Sequence, residues 1–266
     1  MSTRARAKQP TEYASALVPF IGEASPTLQP DTLATVDAAT IAVARFDTSQ
    51  AAAIIPFTPL LLRGESVASS RIEQLTSSAR RIMEAELLGT AGTGNAALIV
   101  ASTAQLSAAI NRDDVPSEAG VLQMHRLLME GSHPQIAGRY RSEPVWIGGS
   151  DTHPVGSLFT APHHRHLAML MSDLEGWMQR RDVPALVLAA IAHAQFETIH
   201  PFVDGNGRTG RALIHTLLRY RGLTINGPLP LSAGILSSPD SYFAALDNYR
   251  TGELDPIVRL IADAAL

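Results

Sequence analysis

The sequence predicts a mainly α-helical fold, a helical bundle with one small β-hairpin. Three observations carry that expectation. Apolar residues recur at helical spacing through most of the chain, and start and stop residues bracket several of these stretches. Only one region, 138–160, has extended segments around a Gly/Ser/Asp centre, as a hairpin would.

The elements follow in order. Residues 1–30 are rich in proline and turn formers and read as an irregular arm draped over the body. A helix is expected over 31–47, with Asp31 as its N-cap, and a second helical zone over 59–88, with a break near Gln74–Ser78. A loop at 90–95 precedes a third helix, 96–110, whose small residues suit close packing. Residues 116–130 begin with Pro116 and stop at Gly131. After the hairpin come helices over 164–180 and 184–199, then 207–220, 241–249 and 256–265. The chain divides into an N-terminal helical region, 1–112, and a core domain, 113–266.

Composition bounds the chemistry. With 266 residues, 45% of them hydrophobic, the chain can bury a sizeable core. A net charge of -4 gives no basic field for nucleic acid, and none is expected as a partner. There is no cysteine, which excludes disulfides, thiol nucleophiles and cysteine-ligated metal. The only lysine is Lys8, so a Walker A loop, a kinase strand lysine and a Schiff-base lysine have no place here. Any phosphate must be held by arginine, backbone N–H or metal. The N-terminus lacks the apolar core of a signal peptide, and the longest apolar run, Ala185 to Ala192, is far shorter than the ~20 residues a membrane span needs. A cytoplasmic protein without a membrane partner is expected.

One segment concentrates the chemistry: Ile199-His-Pro-Phe-Val-Asp-Gly-Asn-Gly-Arg-Thr-Gly-Arg211. Pro201 stops the helix before it. Gly205 and Gly207 permit unusual backbone or close approach, and Asn206 tolerates the same. A new helix starts at about Gly207, so its free N–H groups and dipole make an anion site. Arg208 and Arg211, three apart, share a helix face and reach the same anion. Asp204 offers one carboxylate, suited to Mg²⁺ that takes its other ligands from phosphate and water. His200, at the edge, is placed to accept a proton. Gly205-x-Gly207-x-x-Gly210 also fits the dinucleotide fingerprint, but a helix precedes it and 224–234 contains no acid. A purely structural turn explains the glycines but not the converging His, Asp and two Arg. His163-His164-x-His166 reads as a solvated helix entrance rather than a ligand cluster.

His-Pro-Phe-x-Asp-Gly-Asn-Gly-Arg-x-Gly-Arg resembles the complete signature of Fic-domain proteins. Gly138-Arg-Tyr-Arg141, His193-Ala-Gln-Phe-Glu-Thr-Ile199 and Tyr242…Leu246…Arg250…Gly252 also look like Fic landmarks. The resemblance implies transfer of AMP from ATP to a Ser, Thr or Tyr hydroxyl of a target protein, with Mg²⁺ or Mn²⁺. It implies His200 as base, Asp204 as metal ligand, Asn206 with the Gly205 and Gly207 backbone as anion hole, and Arg208 and Arg211 on the terminal phosphates; Gly210 completes the nucleotide-binding set. Phe202 is expected to face the core. The intact Gly-Asn-Gly-Arg favours nucleotidyl transfer over the phosphorylating Doc type; phosphocholine transfer stays open.

Ser69-Ser-Arg-Ile-Glu73-Gln74 is similar to the family's inhibitory motif, Ser/Thr-x-x-x-Glu-Gly/Asn. Ser69 and Glu73 match. Gln74 departs from Gly or Asn, which leaves open where the helix ends. The resemblance implies that Glu73 reaches Arg211 as a bidentate pair and inhibits transfer. The stretch 141–160 corresponds to the family's flap, over which a target segment would dock by strand addition. Val155, Gly156 and Ser157 are the expected nucleotide-facing arm, and Tyr242 is weighed equally as adenine-pocket liner and core residue. Rival readings are Glu73-dependent removal of AMP, and a non-catalytic or toxin–antitoxin binding module. A homodimer and a monomer are both compatible with the sequence.

Overall fold

A computed structural model describes residues 12–88, 94–111, 114–150 and 152–266. The first eleven residues of the expected arm, positions 90–93 of the expected loop and the boundary at 112/113 lie outside the described residues. The described fold is helical, with one two-stranded sheet.

α7 (Ala185–Ile199) is the axis of the molecule. It is predominantly apolar, and every residue from Leu186 to Ile199 is buried. A helix without an exposed face must be covered on all sides. α8 (Asn206–Tyr220) packs along it, and α6 (Leu167–Met178), α10 (Pro239–Arg250), α11 (Asp255–Ala264) and α1 (Pro30–Ser49) complete the cover. α4 (Asn95–Ile110), rich in Ala and Ser, fits closely among α2 (Ala51–Ile72), α3 (Ala79–Leu88), α5 (Glu118–Met129) and α8. Ser117 caps α5 by accepting the Gly120 N–H at 3.2 Å.

Several boundaries differ from the sequence reading. The N-cap of α1 is Gln29; Asp31 sits inside the first turn, where its charge still suits the helix dipole. α2 starts at Ala51 and contains Pro56 and Pro59, because tertiary packing overrides the proline penalty. The expected break is present between Ile72 and Ala79. α9 (Leu231–Leu236) was not expected: it is six residues long, contains Gly234 and follows Pro228 and Pro230. The hairpin is short, β1 (Trp146–Ile147) paired antiparallel with β2 (Phe159–Thr160).

The N-terminal arm does drape over the body. Ile21 and Gly22 donate their N–H groups to the Asp173 carboxylate, and the Pro19 carbonyl accepts from Gln195 Nε2 at 2.8 Å. The Ala16 N–H donates to the Thr160 carbonyl at 2.9 Å, so the arm lies against the free edge of β2. Among the described residues no helix is long and apolar enough to cross a membrane.

Candidate active site

The loop 200–205 sits between α7 and α8 and is held from both sides. His200 caps α7 in the left-handed region, φ 50°. That conformation is unfavourable for a residue with a Cβ, and the surrounding bonds impose it. The principal brace is Arg141, 3% exposed. Its guanidinium donates to the carbonyls of His200 at 2.8 Å, Glu143 at 3.0 Å and Pro162 at 2.6 Å. One side chain thereby ties the base of the flap to the loop. Burial lowers its pKa to about 10, so it remains charged at neutral pH.

Behind the loop, Phe202 is fully buried, as expected, and stacks on His125 with ring centroids 3.6 Å apart. His125 accepts the Gly138 N–H at Nδ1 and donates from Nε2 to the Asp204 carbonyl, both at 3.0 Å. Those roles require a neutral ring, and burial holds its pKa down at about 4. Asn206 is 3% exposed and spends its amide on the loop itself. Its Oδ1 accepts from the Phe202 N–H and its Nδ2 donates to the Phe202 carbonyl, each at 2.9 Å. The side chain of Asn206 is therefore a brace, and only its backbone faces the helix N-terminus.

The first hydrogen bond into α8 runs from the Thr209 N–H to the Gly205 carbonyl. The N–H groups of Asn206, Gly207 and Arg208 have no acceptor inside the helix. Gly205 reaches its N-cap geometry at φ 79°, where a Cβ is disfavoured. A Cβ on Gly207 would collide with the Glu73 carboxylate, so a carboxylate already occupies the mouth of this anion site. Gly210 has a packing duty in the fold. A Cβ there would meet Glu197, His193 and Phe196, so it allows α8 to approach α7.

His200 places its Nδ1 3.3 Å from the Glu197 carbonyl. Donation in that direction puts the proton on Nδ1 and leaves the Nε2 lone pair free. The side chain keeps 23% exposure, and burial of the rest depresses its pKa to about 4, so it is neutral at physiological pH. Glu197, missed as a site residue, lies beneath, with Oε2 3.9 Å from Nδ1 of His200. Burial raises its pKa to about 7, against the pull of Arg211 and with the help of Glu73.

Arg211 is 2% exposed. Its Nε donates to Ser69 Oγ at 2.9 Å, and one terminal nitrogen donates to the Ser69 carbonyl at 2.8 Å and to Glu73 Oε1 at 2.9 Å. The pairing with Glu73 is thus a single hydrogen bond rather than the expected bidentate one, and the other terminal nitrogen, Nη1, is buried without a partner. Burial opposes the charge, but Glu73, Tyr242 and Glu197 outweigh it and hold the pKa above its ordinary value. Arg208 is also buried, with Nε and one terminal nitrogen unpartnered. Burial lowers its pKa. Asp204 faces outward, 58% exposed, 3.8 Å from Arg208, with Oδ1 accepting the Gly205 N–H at 2.6 Å. Its exposed carboxylate fits a Mg²⁺ or Mn²⁺ that draws remaining ligands from phosphate and water. Among the described residues no cluster of three metal-ligating side chains exists, and the three histidines near 163–166 form none.

Gln74 takes φ 59°, and the helix ends where the motif requires. The Leu75 N–H bonds the Ser70 carbonyl at 3.0 Å and the Gln74 N–H bonds the Arg71 carbonyl at 2.9 Å, a Schellman arrangement with Gln where Gly is usual.

Tyr242 is 1% exposed and hydrogen bonded to His193 Nε2 at 2.9 Å; it is a core residue behind Arg211. Val155, Gly156 and Ser157 line a groove of about 440 Å³ shared with residues 12–16 of the arm.

Comparison with known proteins agrees with this geometry. Residues 116–218 match the family model described as Fic/DOC family. "Protein adenylyltransferase Fic" of Drosophila erecta is 33% identical over 146 residues, covering 54% of this chain and 26% of that protein. The Culex quinquefasciatus protein of the same name is 31% identical over 157 residues, covering 58% and 28%. The chain thus spans about a quarter of the length of these curated relatives. Among solved structures, a Fic family protein from Desulfovibrio desulfuricans G20 has a TM-score of 0.75 at 27% identity, covering 90% of this chain and 73% of that one. Fic-1 of C. elegans shares the fold, with a TM-score of 0.65 at 23% identity over 88% of this chain and 68% of its own. The signature loop and the braces that hold it lie within residues 116–218, the stretch that is similar to the Fic/DOC family, and the chain shares the fold of the solved Fic proteins.

Proposed function

We propose that this chain transfers AMP from ATP to a hydroxyl of a target protein and that Glu73 restrains the reaction. The observation that carries this reading is the meeting, at one helix N-terminus, of a neutral imidazole with free Nε2, unpaired backbone N–H groups and two buried arginines.

The hydroxyl oxygen of Ser, Thr or Tyr attacks the α-phosphorus. The bond from that phosphorus to the bridging oxygen of pyrophosphate breaks, and pyrophosphate leaves with the electron pair. His200 Nε2 takes the hydroxyl proton, a contribution of roughly 10²–10⁴ in rate. The N–H groups at the start of α8 and the guanidinium of Arg211 hold phosphate oxygens. Asp204 would hold Mg²⁺, which supplies charge neutralisation when bound. Glu73 occupies the Arg211 and Gly207 contacts, so ATP binds with its triphosphate out of line; a misplacement of about 1 Å costs on the order of 10²-fold.

Removal of AMP is a second reading. Glu73 stays 39% exposed beside the loop, with room for its carboxylate to align a water.

Radiolabel transfer tests the proposal. Label should pass to protein from α-labelled but not γ-labelled ATP, and His200→Ala should abolish it while ATP still binds. Transfer from the γ position, or undiminished transfer by the variant, overturns the reading.

A further inference from the structure

α2 and α8 meet antiparallel along a polar seam. Two α2 residues and the C-cap Glu73, each one turn apart, face three α8 residues, one turn apart: Glu65 meets His215, Ser69 meets Arg211, and Glu73 meets Arg211 and Gly207. Four-residue spacing keeps each trio on one helix face.

The two ends of the seam differ. Glu65 is 4% exposed. Its carboxylate accepts from His215 Nε2 at 3.0 Å, from the Ser232 N–H at 3.0 Å and from Ser232 Oγ at 2.6 Å. Ser232 belongs to α9, so three helices converge on one carboxylate. At the other end Glu73 is 39% exposed and pairs through one oxygen. Between the two ends, Ser66 Oγ and Ser70 Oγ are buried without partners.

Apolar contacts are non-directional and tolerate sliding or rotation. A buried carboxylate with several fixed donors does not, because moving it strands donors in a low dielectric. One residue of slip on α2 is about 1.5 Å of translation and roughly 100° of rotation, enough to take Glu73 off Gly207. Glu65 lies two turns, about 12 Å, from Glu73 along the same face.

We propose that Glu65, held by His215 and Ser232, is the positioning residue that sets the register of the inhibitory helix. Inhibition is relieved at the Glu73 end, by movement of the last turn of α2, while the Glu65 end stays docked. This rests on the reading of Glu73 as the inhibitor.

The test is a double-mutant cycle on the full chain, with initial rates of label transfer from α-labelled ATP and Mg²⁺ to the enzyme and to lysate protein. Glu65→Gln keeps the shape of the side chain and removes the charge that binds the donors. Alone it should raise transfer roughly 5-fold, the lower end of ordinary coupling between sites. In the Glu73→Gly background it should add nothing. A merely structural role would lower transfer in both backgrounds. Unchanged transfer by Glu65→Gln, or an equal factor in both backgrounds, overturns the inference while leaving the Glu73 reading intact. Equal rates for wild type and Glu73→Gly overturn the Glu73 reading itself, and this one with it. If Glu65→Gln fails to fold by thermal melting, His215→Gln and Ser232→Ala carry the same cycle and the same outcomes.

Discussion

Glu73 and Arg211 are joined by one hydrogen bond of 2.9 Å, yet they are unequal partners: Arg211 is 2% exposed and Glu73 39%. Arg211 is further fixed by two bonds to Ser69. The arginine is the stationary half and the glutamate the replaceable one. Glu73→Gly should therefore free Arg211 without moving it. A coupling of roughly 1–3 kcal/mol predicts about 5–150-fold faster label transfer from α-labelled ATP. If AMP removal is a second activity, the same variant should lose it. Both are read by autoradiography and by release of AMP from a labelled target; equal transfer by wild type and variant would show that no such restraint operates.

Gln74 carries the cost of ending α2 at this point. A residue with a Cβ in the left-handed region is disfavoured by about 1 kcal/mol relative to glycine. Gln74→Gly should raise the melting temperature by a few degrees, roughly 2–4 °C for each kcal/mol in a chain of this size. Transfer should keep its wild-type rate, because Glu73 already points at Arg211. A lower melting temperature would mean that the Gln74 side chain makes a compensating contact.

Much of this site was legible because its chemistry is local. The segment from His200 to Arg211 is contiguous, and its glycines, proline and charges state their roles by spacing. Ser69 and Glu73 were legible only through likeness to a motif, since nothing near them in sequence names Arg211, about 140 residues away. His125 carried no signal at all: its stack on Phe202 and its bonds to Gly138 and Asp204 arise from tertiary packing alone. Gly210 and Asn206 also carry structural duties that the motif does not spell out: one lets two helices meet and the side chain of the other braces the loop. The start of α2 was misplaced for a related reason. Pro56 and Pro59 argue locally against a helix, and the packing that tolerates them is not written in the local pattern.

Glu197 gives a pH signature. Burial raises its folded-state pKa from the ordinary 4.5 to about 7. The folded protein therefore holds a proton that the unfolded chain releases between those two values. The resulting stability is fully present below about pH 4.5 and is lost as pH rises through 7. Glu197→Gln mimics the protonated form and escapes this loss. The melting-temperature difference, variant minus wild type, should grow from pH 5 to pH 8; a constant difference would show that the fold does not raise the Glu197 pKa into that interval or above it.

Asp204 should make nucleotide chemistry metal-dependent. Its carboxylate is the exposed acid of the loop, 58% exposed. Asp204→Ala should weaken ATP binding measured with Mg²⁺ and leave the weaker metal-free binding unchanged. Activity that survives EDTA would assign this residue another role.

Gly207 separates two ways of emptying the anion site. Its Cα stands directly beneath the Glu73 carboxylate, so a methyl group there has no room while Glu73 is in place. Taken alone, Gly207→Ala should push the carboxylate away from Arg211 and thus resemble Glu73→Gly. The resemblance should stop there. A phosphate held by the first N–H groups of α8 must approach the backbone as closely as the carboxylate does, and the same methyl group would block it. Gly207→Ala should therefore be inactive rather than activated, and Glu73→Gly combined with Gly207→Ala should be inactive as well. ATP binding, followed by calorimetry in Mg²⁺, should fall in both. The helix itself has no objection to alanine, since Gly207 has ordinary helical geometry and alanine is the better helix former by about 1 kcal/mol. Loss of function would then come with an unchanged or raised melting temperature, which distinguishes a blocked site from an unfolded one. Transfer by Gly207→Ala at the level of Glu73→Gly would show that phosphate binds elsewhere, and that Glu73 restrains the enzyme through Arg211 alone.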